Sequence, residues 1–180
     1  MLTENLQELE QCGFIRRYTN YTKPSNGAFF QLVDPFVLFS LRFLVSRKQN
    51  SWLEYIHSPS YNVWRENAFE ICCINHVPEI KASLGIAGVG TMEYAWRSET
   101  SAQGAKINLL IDRKDDVINL CEMKYTDDAF EVDKAENRRL MNRLSTFQKE
   151  TQPRKAIHMT LVSANGLLNG NYSSVFQNVI

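Results

Sequence analysis

Residues 104–124 decide the fold, and they read GAKINLLIDRKDDVINLCEMK. Residues 107–111 and 117–123 are rich in Ile, Leu and Val, a composition typical of β-strands. The polar residues 112–116 between them are typical of a tight turn. The stretch therefore predicts a β-hairpin.

The second strand of this hairpin is predicted to lie at the centre of a sheet. Alternation gives it two largely apolar faces, one of which also carries Glu122 and Lys124. An unpaired charge in such surroundings costs several kcal/mol or more, so Glu122 needs a partner. A divalent metal ion would be one, with the Lys124 ammonium positioning a water or an anionic substrate oxygen.

Length and composition predict a folded chain without a membrane segment. The chain has 180 residues, 44% of them hydrophobic, which is enough for one domain or for a domain with a small appendage. Basic and acidic residues number 20 each, so any nucleic-acid contact must come from a local patch. No apolar run approaches the roughly 20 residues that span a bilayer, and the amino terminus lacks a signal-peptide pattern. We therefore expect a cytoplasmic protein with no membrane partner.

The four cysteines fall at no zinc-ligand spacing. They are Cys12, Cys72, Cys73 and Cys121. We interpret all four as small core residues that stay reduced.

Residues 1–48 are predicted to form a partial winged helix. A helix over 3–12 precedes strand-like runs at 14–18 and 28–33, and Asp34 followed by proline opens a second helix. Helix, two-stranded wing, helix is the order of the back half of a winged helix.

The helix over 3–12 is not expected to read DNA. Glu4, Glu8 and Glu10 would meet a phosphate backbone unfavourably, which favours a protein–protein or interdomain role. Its leucines have no partners within their own segment. We expect them to be buried against the second domain or against another copy of the chain, as in a homodimer.

Residues 49–180 are predicted to form the second domain. Besides the hairpin, its predicted helices and strands cover residues 61–76, 78–84, 89–96, 133–149 and 155–163, with a short terminal helix after residue 171. The helix over 133–149 has an apolar stripe of Leu140, Leu144 and Phe147. We place four cations on its outer face, Arg138, Arg139, Arg143 and Lys149.

The Glu122-x-Lys124 strand, preceded by a hairpin strand and earlier by a helical glutamate, resembles the PD-(D/E)XK nuclease superfamily. Residues 64–80, 84–89 and 104–125 resemble more closely the C-terminal nuclease-like domain of predicted bacterial and archaeal AAA-type ATPases, in which a winged helix precedes this domain. The resemblance implies an α/β fold with a restriction-endonuclease-like mixed sheet flanked by helices and an N-terminal partial winged helix.

The same resemblance implies a set of site residues. Glu70 matches the helical acidic residue, Asn108 stands where relatives reading Gly-Ala-Gln-Ile-Asp carry a metal-binding aspartate, and Glu122 and Lys124 complete the motif. Catalysis would fall to Glu70, Asn108, Glu122 and Lys124, converging in one pocket. Glu70, Asn108 and Glu122 would hold Mg²⁺ or Mn²⁺.

Two functions follow, and Asn108 separates them. The first is a metal-dependent DNA phosphodiesterase, a magnesium endonuclease weakened at position 108, because asparagine keeps a carbonyl ligand but removes one negative charge. The second is a catalytically inactive module that binds nucleic acid or a partner such as an ATPase. The chain has no phosphate-cradling glycine loop, so ATP hydrolysis would belong to that partner. Asp112 is expected to be too far from Asn108 to serve, about 13 Å along the strand, whereas Glu66 lies one helical turn from Glu70.

Overall fold

The computed structural model describes residues 2–23, 28–45, 52–56, 58–100 and 104–180. The helices are α1 Leu2–Gln11, α2 Pro35–Phe39, a π-helix Ser40–Leu44, α3 Trp52–Tyr55, α4 Pro59–Asn75, α5 Val77–Ser83, α6 Lys134–Thr151 and a 3₁₀ turn Ser173–Val175. The strands are β1 Ile15–Thr19, β2 Ala28–Leu32, β3 Thr91–Arg97, β4 Lys106–Arg113, β5 Val117–Lys124, β6 Ala156–Ser163 and β7 Asn178–Val179. The predicted α/β class is confirmed.

The chain divides into two compact units. The first contains Met1–Arg17 and Phe30–His76, and the second contains Tyr18–Phe29 and Val77–Ile180. The predicted boundary at residues 48 and 49 falls outside the described residues and stays a prediction. No helix in the described part of the chain has both the length and the apolar character that crossing a bilayer requires.

Local sequence signals shape the first unit. Gly13 ends α1 with a positive φ of 75°, a conformation that glycine adopts without strain. Asp34 caps α2 by accepting a hydrogen bond from the Phe36 amide, 2.7 Å away. The ring of Phe39, the last residue of α2, contacts the rings of Phe43 and Trp64 at centroid distances of 5.0 and 5.4 Å. The predicted order of helix, two strands and helix is confirmed.

The second unit is built on a five-stranded mixed sheet in the order β3-β4-β5-β6-β7. β3, β4 and β5 pair antiparallel, whereas β5, β6 and β7 pair parallel. β5 is the middle strand, and its six inner residues are buried. The predictions of a hairpin and of a central strand are therefore confirmed.

A buried polar contact holds the parallel edge of the sheet. Asn119 on β5 is fully buried and donates from Nδ2 to the Thr160 hydroxyl of β6 at 2.9 Å and to the side-chain oxygen Oδ1 of Asn178 on β7 at 3.3 Å. Arg113 donates to the Asn119 side-chain oxygen at 3.3 Å. Because a buried amide left without partners is costly, these bonds favour this strand order. Strand β7 was not predicted from the sequence.

Helix α6 packs its apolar stripe into the main core of the second unit. Asp133 caps it by accepting from the Glu136 amide at 2.7 Å. Leu140 and Phe147 are fully buried in that core, and Leu144 packs at its edge. The buried stripe is thus confirmed.

Two predictions about burial are wrong. Arg143 does not lie on the outer face of α6; it points towards the sheet, because it follows Leu140 by three residues and precedes Phe147 by four. Cys12 and Cys72 are exposed rather than core residues. No residue of α1 is buried in the described chain, and the predicted covering of its leucines, by the second domain or by another copy, stays a prediction.

Candidate functional site

The candidate site lies on the β4–β5 hairpin, where β4 carries an irregularity. Tyr94 of β3 pairs with Leu110 of β4, and Trp96 pairs with Ile107. Between these two pairs, β3 advances by two residues and β4 by three. The extra residue falls in the segment that contains Asn108. On the other side of β4, Leu109 pairs with Cys121 of β5 in antiparallel register. Asn108, one residue before Leu109, therefore lies at about the level of Glu122, one residue after Cys121.

Glu122 is buried, with 9% of its surface exposed, and its carboxylate faces several cations. Arg143 on α6 donates from Nη1 to Oε2. The Lys124 ammonium lies 3.4 Å from Oε1, and Arg139 Nη2 lies 3.9 Å from the same oxygen. Both carboxylate oxygens therefore face protein cations.

Glu136 on the first turn of α6 extends this network. Its carboxylate pairs with Arg139 at 2.6 Å and with Lys124 at 3.7 Å. We name Glu122, Lys124, Glu136, Arg139 and Arg143 the Glu122 cluster. With three cations and two carboxylates, it has a formal charge of +1.

Besides the carboxylates of Glu122 and Glu136, the Lys124 side chain contacts the ring of Phe130. Its ammonium lies 5.7 Å from the centroid of the Phe130 ring, in range of a cation–π contact. Lys124 is mostly shielded from water, because only 18% of its side chain is exposed. The two carboxylates and the ring therefore fix the ammonium at the carboxyl end of β5.

In the second unit, the carboxylate predicted to hold Mg²⁺ or Mn²⁺, Glu122, faces protein cations. A magnesium ion is held by oxygen ligands, commonly carboxylates, that are free to turn to it. Here Arg143 and Lys124 face both oxygens of Glu122, and Asn108 adds no charge. No group of three His, Cys, Asp or Glu side chains suited to a metal ion occurs among the residues described. The protein's own cations supply the charge that the sequence suggested a metal would supply.

Glu70 lies on α4 in the first unit and is half-buried. It lies near Cys73, whose thiol pKa is raised to about 12 by burial first and then by the neighbouring Cys72 and Glu70 charges. Such a thiol holds almost no thiolate at neutral pH and is not a nucleophile. The structure brings Glu122 and Lys124 together, whereas the approach of Glu70 to them stays a prediction.

Asp112 and Glu66, the two further carboxylates considered for the metal site, lie in different environments. Asp112 pairs with Lys155 at an N–O distance of 2.6 Å. Glu66 is exposed on α4. Asp112 is thus engaged by a cation, as Glu122 is.

Sequence reasoning missed Arg143 as a partner of Glu122. The signal was present, because the positions 140, 143, 144 and 147 recur at spacings of three and four and so share one helix face. A cation within an apolar helix stripe predicts a buried carboxylate on the surface it covers.

A second feature is a basic stripe along the outer face of α6. Lys134, Arg138 and Lys149 are exposed, and helical spacing sets them on one side of the helix with the exposed Asn142 and Ser145 between them. The stripe extends from Lys134 to Lys149, 15 helical steps or about 22 Å. Because Glu136 turns into the Glu122 cluster, its carboxylate does not neutralise this stripe.

Comparison of the chain with family models, with curated proteins and with solved structures finds no match.

Proposed function

We propose that the chain is a nuclease-like domain of the PD-(D/E)XK type that binds a nucleic-acid backbone and does not cleave it. The observation that carries this proposal is the pairing of Glu122 with Arg143 and Lys124. Because both carboxylate oxygens face cations of the protein, the burial of Glu122 needs no metal ion for charge compensation. The charge of buried Glu122 is therefore no longer a reason to expect a catalytic metal ion.

Two features support the nuclease-like type. A five-stranded mixed sheet carries Glu-x-Lys at the end of its central strand. Asn108 lies on the adjacent strand β4, at about the level of Glu122. The order of helix, strand and Glu-x-Lys strand is that of the superfamily which the sequence resembles, with the amide of Asn108 on β4 in place of the acidic residue.

The basic stripe on α6 supports the nucleic-acid part of the proposal. Helix α6 carries five cations, Lys134, Arg138, Arg139, Arg143 and Lys149, against the carboxylates Glu136 and Glu150. A row of exposed cations about 22 Å long matches the spacing of several consecutive phosphates. In a chain with no net charge, this local row is a surface to which a polyanion would bind.

Reversing the stripe is expected to abolish most DNA binding. The variant Lys134→Glu, Arg138→Glu, Lys149→Glu removes three phosphate contacts, so the slope of log affinity against log salt should become shallower by about 3. Fluorescence anisotropy of a labelled duplex between about 50 and 200 mM salt measures that slope. We expect wild-type dissociation constants in the range of about 1–100 µM, as for non-specific binding.

A matched control separates the stripe from bulk charge. Arg97, Lys106 and Lys114 are exposed cations off α6, and their reversal to glutamate changes the net charge by the same amount. That control should keep most of the wild-type slope. Equal losses in both variants, or no binding by the wild type, would contradict the proposal.

The change Asn108→Asp tests cleavage directly. We expect this variant to bind Mn²⁺ no better than the wild type and to leave plasmid DNA intact, because Arg143 and Lys124 still hold Glu122. Calorimetric Mn²⁺ titration and plasmid nicking measure the two properties. The endonuclease alternative predicts the opposite, a gain of metal binding and nicking that is lost again on adding Lys124→Ala or Glu122→Gln.

A further inference from the structure

Exposed apolar side chains are concentrated in the first unit. Among the described residues, ten of the fourteen exposed large apolar side chains belong to it. Contiguous exposed apolar surface often marks an interaction site. The first unit therefore needs a covering partner more than the second unit does.

Helix α1 is one of the surfaces concerned. Leu2 and Leu9 are 75% and 42% exposed, and no residue of the helix is buried. An isolated helix of 10 residues is only marginally stable in water, so apolar contacts along α1 would stabilise it. Glu10 follows Leu6 by one turn and borders the leucine stripe, and α1 carries no cation.

The second surface lies at the end of the π-helix. Leu41, Leu44 and Val45 are each more than half exposed. Arg42 is exposed among them and reaches the Ser60 hydroxyl at 3.4 Å. We name Leu41, Arg42, Leu44 and Val45 the Leu41 patch, which is apolar with one positive charge.

We propose that two copies of the chain pair reciprocally, with α1 of each copy seated on the Leu41 patch of the other. Leucines then meet an apolar surface, and Glu10 meets Arg42, so the two surfaces match in both polarity and charge. Direct pairing of two α1 helices would instead bring their glutamates together. Reciprocal contacts close into a two-fold dimer. This pairing is independent of the proposed DNA binding, which uses the second unit.

Sedimentation equilibrium of the full chain at concentrations up to about 200 µM tests the pairing. We expect the wild type to be a dimer and Leu9→Glu and Leu44→Glu each to be monomers. Both side chains are solvent-exposed in the single chain, so neither change should unfold it, which circular dichroism verifies. A monomeric wild type, a series of larger species, or a dimer unaffected by either change would overturn the proposal.

A charge exchange tests which surfaces meet. Glu10→Arg and Arg42→Glu should each raise the dimer dissociation constant roughly fivefold, and the double variant should return it to within about twofold of wild type. Failure of the double variant to recover would exclude the α1–patch pairing. A stronger dimer from Glu10→Arg alone would point to α1 seated on an acidic surface and would likewise overturn the proposal.

Discussion

Replacing Arg143 with alanine is expected to lower the free energy of unfolding by about 3 kcal/mol, the lower end of the range for breaking a buried ion pair. Glu122 is buried, and Arg143 donates a hydrogen bond to it from the helix that covers its face of the sheet. The cost comes from leaving the carboxylate without its main partner. We expect the lower end of the range because the Lys124 ammonium remains 3.4 Å from the Glu122 carboxylate.

Urea denaturation followed by circular dichroism measures this loss. Arg138→Ala is the matched control, since Arg138 is exposed on the same helix, and it should change stability by no more than about 0.5 kcal/mol. The double variant Glu122→Leu, Arg143→Met replaces the pair by apolar groups and should recover much of the loss. Equal effects of Arg143→Ala and Arg138→Ala would contradict the Glu122 cluster.

Replacing Phe147 with alanine is expected to destabilise the second unit by about 3–5 kcal/mol. The ring is fully buried and packs edge-on against Trp96 at 5.2 Å, with Tyr21 at 5.6 Å on another side. Truncation removes these contacts and leaves a cavity between α6 and the sheet, because two large neighbouring rings cannot collapse into it.

Two substitutions control for the loss at Phe147. Phe147→Leu retains part of the volume and should cost about half as much. Met141→Ala changes an exposed apolar residue of the same helix and should stay within about 0.5 kcal/mol of wild type. Chemical denaturation followed by circular dichroism measures the change in the free energy of unfolding. A cost below about 1 kcal/mol would mean that α6 does not depend on this ring for its packing.

Both predictions concern the same helix and link stability to function. One face of α6 supplies the core through Leu140 and Phe147, one edge supplies Arg143 to Glu122, and the opposite face presents the basic stripe. A change in the stripe should therefore alter the proposed DNA binding without altering stability. A change at Arg143 or Phe147 should alter stability first.

The sequence by itself determined the elements whose causes are local. Alternation and apolar content predicted the β4–β5 hairpin and the central place of β5. Asp34 predicted where α2 begins, since a capping side chain bonds to an amide two or three residues away, and Asp133 caps α6 in the same way. These interactions lie within one turn or one strand, so their signal is present in the chain itself.

Only the tertiary structure decided which charges meet and which small residues are buried. Glu122 and Arg143 are 21 positions apart, and their pairing depends on how α6 lies across the sheet. The short strand β7 pairs with β6, and its Asn178 contacts Asn119, 59 positions away in sequence. Cys73 is buried and Cys72 beside it is exposed, because neighbouring positions on a helix face different surroundings. Local patterns cannot fix such contacts, since their free energy depends on the residues that packing brings together.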